Sequence, residues 1–546
     1  MLTAVFPNSL AYSFKTRIFD PEYEINVFYT WPLAGVGKTA SAILIKDGKC
    51  VSFGSKAVEN VSTLKTKDRK EYIYLSHLKR VLYAEENIKD RTNLTDTVSG
   101  KSILAIDVIR LCLTQVKNVF LEEANNKGHS IFSKDVLWVV TVPAIWKESA
   151  KKLILLAAES TGIKNLRIVL ESKAASVWVL SLTKSHKADS LKKGDLFIVA
   201  NCGGGSIIDV TVHELTSGTD STVKEIVKAS GGDWGSTVID RAFYQMMDDI
   251  FGVDKMDTFR KDMAQFAQMQ DVWEKKKCSY DGESDVLIYI ASLKETAEED
   301  IENYNAQNGT DLELDNTNLV IPAGAMQKLY AGAINTTISH LQTILKKGVA
   351  PKCIMLVGNF ANSQLLQDAT RKSFEPSVRV VVPPFPGNCV VSGAVLYTCK
   401  PSFISERLSK YAYGVDVCPL YDESKGHTPD KKVFRNGEWR CNDVMSWIVK
   451  LGDSIPHGKP FSRLYFPINE NQKCISFDIF SGTQDDILFC TDRGCKKLGE
   501  IKSPDADPEL LKDKGVKFLM LFDTEIHVRC IGPNGNVTSA ALTFTE

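Results

Sequence analysis

Apolar positions along the chain follow two rhythms. Up to about residue 410, largely apolar runs of five to seven residues alternate with segments of helical period. Val136–Val142, Leu166–Leu170, Leu196–Ala200 and Cys353–Val357 are such runs, and each reads as a strand, Leu196–Ala200 as a buried one. Between the first two, Ser149–Ser160 has helical spacing, with Leu153, Leu156 and Ala157 available for one face and Gly162 as the C-terminal cap. Small residues at 174–176 open a helix directly after Glu171, Ser392–Val395 begins another, and a further helix starts near Gln364. From about Tyr411 the pattern changes to short apolar runs at close spacing, including residues 475–480, 486–490, 518–522, 525–529 and 540–544. That spacing predicts a β-sandwich.

The string GVGKT at 35–39 is half of a phosphate-binding loop, but the context excludes the other half. Pro32 stands where the loop needs its first glycine. After Lys38-Thr39 come an apolar stretch to Ile45, the turn Lys46-Asp47-Gly48 and a β-like return through Phe53. A hairpin offers no helix N-terminus to a phosphate.

A better phosphate turn lies between Leu196–Ala200 and Ile207–His213, where Asn201-Cys-Gly203-Gly204-Gly205-Ser206 joins two strands. Consecutive glycines let backbone amides converge on an anion, and Ser206 adds a hydroxyl, although a tight hairpin with no ligand uses the same residues. Glu171, at the C-terminal end of a strand, occupies a position that commonly faces a ligand cleft and also favours a helix start. Gly358, with Asn359 and Ser363 following, lets the chain pass close to a purine or a phosphate.

Composition narrows the class. The 546 residues are 44% hydrophobic and 24% charged with a formal net charge of −1, so bulk electrostatics argue for neither nucleic acid nor an anionic membrane. No apolar run approaches the roughly 20 residues of a membrane span. Thirteen cysteines without a C-x-x-C pair suit reduced structural thiols, so the chain is expected to be cytoplasmic.

Taken in order, VVTVPAIWKESAKK, VLESKAAS, NCGGGSIIDVTVHE, KASGGDWGSTVIDRAF and VGNFANSQLLQ resemble the nucleotide-binding domain of the superfamily of 70-kDa heat-shock proteins, actin and sugar kinases. Within it they are similar to the divergent heat-shock 70 kDa protein 12 subfamily. YAYGVDV, FCTDRGCKKLGEI and LMLFDTEIHVRCI extend the resemblance from about Leu10 to the end. It implies an α/β architecture: a two-lobed actin-like (ribonuclease H-like) ATPase fold at 1–399, a linker at 400–410, and a shortened C-terminal β-sandwich domain at 411–546 without a helical lid.

Through the same resemblance, Gly203, Gly204, Gly205 and Ser206 form a phosphate hairpin, and Glu171 and Asn201 face a magnesium ion. Glu171 and Lys79 are the catalytic residues, while Glu274, Lys277, Gly358 and Asn359 line the adenosine of ATP or ADP. Protein clients or adaptor partners are expected on the β domain.

The chain also departs from that pattern. The Asp-x-Gly-Thr-Thr hairpin that opens relatives is not found before Ser9–Phe14, which predicts loss of the first phosphate strand. Asn201 replaces an aspartate, Ser172 replaces a proline, and one extra residue, Ile207 or Ile208, calls for a bulge before Asp209. The expectation is a chaperone or adaptor that binds nucleotide with weak or no hydrolysis. A nucleotide-free pseudo-ATPase scaffold is the alternative, and a small-molecule kinase finds least support.

Overall fold

The computed structural model of the chain describes residues 2–5, 10–13, 26–27, 39–76, 78, 91–96, 99–146, 148–185, 191–203, 205, 207–216, 222–399, 403–409, 411–484, 486–522 and 526–542. The chain is mixed α/β and divides into two units: Met1–Ser221 with Ala229–Phe403, and Thr222–Lys228 with Ile404–Glu546.

The first unit contains one topology twice. In one sheet the spatial order is Leu166–Leu170, Leu137–Val142, Leu2–Val5, Leu10–Ser13, Asn26–Val27. Leu2–Val5 pairs antiparallel with Leu10–Ser13 and parallel with Leu137–Val142, which is parallel in turn to Leu166–Leu170. In the other sheet the order is Arg379–Val381, Cys353–Val357, Leu196–Cys202, Ile208–Leu215 and then Val223–Gly232, whose residues from Ala229 onward belong to this unit. There Leu196–Cys202 pairs antiparallel with its hairpin partner and parallel with Cys353–Val357. In both, a first strand carries its following hairpin on one side and two parallel strands, joined by a helix, on the other.

A first strand is therefore present, contrary to the loss expected from the sequence: Leu2–Val5 fills that place, Leu2 beside Leu137 and Ala4 beside Val139. Four residues, Leu-Thr-Ala-Val, are too few for a periodicity reading, and only pairing to the buried strand identifies them.

The crossover helix Glu148–Ser160 buries Leu153, Ile154, Ala157 and Ala158 against Trp138, Val140 and Val142. Leu156, expected on that face, is 38% exposed, because a stripe of 3.6 period through 153, 154, 157 and 158 leaves it on the far side. Each half closes with a helix, Glu171–Ser185 in one and Cys389–Cys399 in the other. These two approach so closely at Gly393 that a Cβ there would lie 1.8 Å from the Ala174 carbonyl oxygen. Ser392 is inside this helix rather than at its start.

The region after GVGKT forms the expected hairpin. Ala42–Lys46 and Lys49–Phe53 are joined by Asp47 and Gly48, both at positive φ, as a two-residue turn of inverted type requires. Thr39 is buried and its Oγ1 accepts from the Ser55 amide, while Lys38 lies outside the described residues.

In the second unit, two antiparallel sheets of four strands share one core. Val444–Val449, Ala412–Val417, Ser476–Gly482 and Cys495–Lys502 make one; Phe461–Tyr465, Val516–Phe522, Ile526–Ile531 and Val537–Leu542 the other. Val516, Phe518, Met520 and Phe522 alternate inward to meet Val415, Phe477 and Ile479. The run 486–490 is not a strand: only Phe489 makes an isolated bridge, to Val444, and Asp492 Oδ2 takes up the Leu488 and Phe489 amides. The unit also takes in Thr222–Lys228, where Val223 pairs with Ile404. Among the described residues no helix is long and apolar enough to cross a membrane.

One buried group ties fold stability to pH. His213 stacks on Phe197 at 5.4 Å, with Nε2 at 2.8 Å from Ser176 Oγ and 3.0 Å from Thr211 Oγ1. Burial, and secondarily the Lys173 charge, pull its pKa from 6.5 to about 3. The unfolded chain thus binds a proton that the folded chain refuses, so stability falls as pH drops below about 6.5, by up to about 1.4 kcal/mol per unit. His213→Gln should flatten the denaturation midpoint between about pH 6.5 and pH 5. An equal decline in the variant would assign the slope to other groups.

Candidate functional site

The end of strand Leu196–Cys202 gathers four segments of the first unit. Across the hairpin, Asn201 stands opposite Asp209 and Cys202 opposite Ile208, in a register without a shift. The paired residues before Asp209 therefore contain no bulge, contrary to the bulge expected there. This outcome is favoured because a slip inside the strand would send Asp209 and the buried residues after it to the wrong face. On the other side Asn201 pairs with Val357, which brings Gly358 alongside. A Cβ on Gly358 would lie 2.2 Å from the Cys202 carbonyl oxygen and 2.9 Å from Asn201 Oδ1, and its amide donates to the Pro386 carbonyl at 2.8 Å. Gly231 approaches from a third direction, where a Cβ would lie 2.0 Å from the Ile208 carbonyl oxygen.

The fourth segment is the start of helix Glu171–Ser185. Asn201 Nδ2 donates to Glu171 Oε2 at 3.2 Å, and both side chains are buried. Helix N-terminal amides favour a carboxylate at this position. Thus the structure brings Glu171 and Gly358, far apart in the chain, to Asn201 at the strand end that leads into Gly203 and Gly205. Gly204, Ser206 and Lys79 lie outside the described residues.

The glycines differ in what they are for. A Cβ on Gly203 would lie 2.9 Å from the Ile207 carbonyl oxygen, so the turn itself needs that glycine. At Gly205 a Cβ would meet nothing within 4 Å among the described residues. Among the described residues no packing contact demands glycine there.

Asp209 is a residue the motif reading passed over. It is 0% exposed, and its Oδ2 accepts from the Ala144 amide at 3.1 Å, joining the second strand of one sheet to the segment after Leu137–Val142 in the other. The signal was present in the sequence: one carboxylate inside the apolar run Ile-Ile-Asp-Val-Thr-Val, a residue type almost never fully buried without a partner.

Lys277 and Glu274 lie on helix Met263–Ser279. Lys277, with its side chain 4% exposed, reaches Asp240 Oδ1 at 2.7 Å and also pairs with Glu274. The same Asp240 oxygen accepts from Trp273 Nε1 at 2.8 Å. Burial alone would lower the Lys277 pKa, but Glu274 and Asp240 outweigh it and hold the ammonium above its usual range. Its charge is consequently neutralised within the protein. Tyr330 links this helix to the Gly358 loop: its hydroxyl donates to the Lys277 carbonyl at 2.8 Å, and its ring lies 6.5 Å from that of Phe360. Asn359 opens the short helical turn Asn359–Asn362 beside Gly358.

A family profile described as "Domain of unknown function (DUF8340)" matches residues 191–345, a span that includes the glycine turn, Asp209 and Lys277. Over 95% of its length the chain is 28% identical to "Heat shock 70 kDa protein 12A" of Homo sapiens, covering 87% of that protein. Over 90% of its length it is 28% identical to "Heat shock 70 kDa protein 12B" of Homo sapiens, covering 81% of it. A more distant relative, "Chaperone protein DnaK" of Mycoplasmopsis agalactiae, is 24% identical over 38% of this chain and 30% of its own length.

Proposed function

We propose that this chain, which resembles heat shock 70 kDa proteins 12A and 12B over nine-tenths or more of its length, binds an adenine nucleotide with little turnover. In this reading it is a chaperone or adaptor that holds protein partners through its β-rich second unit. The first unit is taken as a two-lobed actin-like fold of ribonuclease H type. What supports this is the repeated strand order, with the two closing helices packed at Gly393 and the Asp209–Ala144 hydrogen bond joining the repeats.

The observation that carries the nucleotide is Gly205. A glycine whose Cβ would meet nothing within 4 Å among the described residues, in the turn between two buried strands, leaves room for a phosphate to approach backbone amides. Asn201, at the strand end that leads into the turn, donates to Glu171, and Gly358 lies beside Asn201 and Cys202, so phosphate and adenosine contacts have candidates on adjoining segments. Slow turnover follows from the electrostatics: phosphoryl transfer rests on positioning and charge stabilisation, and Asn201 supplies no charge where relatives carry a carboxylate. The second unit offers two sheets with a common core, and one relative named as a chaperone supports a polypeptide partner.

Calorimetric titration of the full chain with ATP tests the reading. Gly205→Val should leave thermal stability unchanged and weaken ATP binding by about 10-fold or more, since the branched side chain fills the space beside the turn. Equal affinity of variant and wild type would remove the turn from the site. The absence of any ATP binding by a folded sample would favour the nucleotide-free scaffold, the reading that the neutral Asn201 supports.

A further inference from the structure

We infer that the cleft takes its nucleotide without a divalent cation, because Asn201 has replaced the metal's part in balancing the site. The inference rests on the nucleotide reading above and concerns what accompanies the nucleotide.

The resemblance implies magnesium, and the residues present do not fit it. Magnesium holds its water tightly, demands octahedral oxygen ligands, and is usually recruited by one or two carboxylates together with phosphate oxygens. Here the candidate carboxylates are already committed. Glu171 Oε2 accepts from Asn201 Nδ2 at 3.2 Å, with both residues buried. Asp209 is fully buried, with Oδ2 taken by the Ala144 amide at 3.1 Å. Between the first two strands the sequence reads Phe6-Pro7-Asn8-Ser9, which contributes no carboxylate at all. Among the described residues no group of three or more His, Cys, Asp or Glu side chains could hold a metal ion.

The Asn201–Glu171 pair explains how such a site stays balanced. Two carboxylates at this separation repel and cannot both ionise without a cation between or beside them. An amide facing a carboxylate has no such need, because its N–H satisfies the acceptor and it adds no charge. Asn201 therefore relieves Glu171 of the requirement that an aspartate would impose. The nucleotide's phosphates are then met by backbone amides such as that of Gly205.

The experiment is ATP titration of the full chain by calorimetry in excess magnesium and again in EDTA, on wild type and on Asn201→Asp. Wild-type affinity should change by less than about 3-fold between the two conditions, because no ligand set depends on the ion. Asn201→Asp recreates a carboxylate pair, so its ATP affinity should fall by about 10-fold or more in EDTA and recover when magnesium is added. Loss of wild-type binding in EDTA would overturn the metal-free site while leaving the nucleotide reading intact. No binding in either condition would overturn both. The wild-type comparison decides the matter even if Asn201→Asp does not fold. A Glu171→Gln variant supplies the complementary check: with this carboxylate gone, magnesium should still leave ATP affinity unchanged, and a gain of magnesium sensitivity would count against the inference.

Discussion

Gly358→Ala should lower the stability of the first unit by about 3 kcal/mol and remove ATP binding, the sum of two independent penalties of about 1–3 kcal/mol each. The first is conformational. Gly358 has φ 90° and ψ 169°, a region that side-chain-bearing residues essentially do not enter. The second is steric, since the new methyl would lie 2.2 Å from the Cys202 carbonyl oxygen and 2.9 Å from Asn201 Oδ1. Neither neighbour can yield cheaply. Cys202 is paired with Ile208 across the hairpin, and the Asn201 amide is held by Glu171. The strand end would have to move, carrying Asn201 and the glycine turn with it. Urea denaturation measures the first effect and ATP titration the second. Wild-type values in both would mean that the Gly358 loop does not approach the strand as described.

Gly393→Ala tests the sign of an effect rather than its size alone. On an exposed helix, replacing glycine by alanine stabilises by about 1 kcal/mol. At Gly393 the opposite sign is expected, a loss of about 2 kcal/mol or more, because the helices must separate or strain to admit the methyl. A Cβ there would lie 1.8 Å from the Ala174 carbonyl oxygen and 3.1 Å from Trp178 Cβ. Separation should also reach the site, since the displaced helix begins with Glu171. Weaker ATP binding by the part of the population that remains folded is the accompanying result. Stabilisation by alanine would show that Gly393 is not at a close helix crossing.

Much of the site was legible because its signals are local. Strand, glycine turn and strand at 196–215 follow from apolar runs broken by residues without a Cβ, and the register agrees with that order. The rejection of GVGKT rested on Pro32 and on the turn at Lys46-Asp47-Gly48, where Asp47 and Gly48 adopt the positive φ that such a turn needs. Gly358 at the end of Cys353–Val357 was read from the same kind of punctuation. Where the reading failed, the deciding interaction was distant or the segment too short. Leu2–Val5 becomes a strand only through its pairing with Leu10–Ser13 and Leu137–Val142, and residues 486–490 keep a single bridge to Val444 while Asp492 takes up the Leu488 and Phe489 amides.

The sequence by itself determined the alternation of buried strands and helices, the position of the glycine turn, the neutral residue at 201 and the resemblance to the 70-kDa heat-shock proteins. Tertiary structure alone decided what those residues face. Whether Asn201 meets Glu171, Asp209 meets the Ala144 amide, or Lys277 is neutralised by Asp240 depends on elements 30, 65 and 37 positions apart. Periodicity reports which face of an element is buried, because burial is a property of each element's own pattern. It carries no record of which element lies opposite, since that choice is made by register and packing between segments the chain separates.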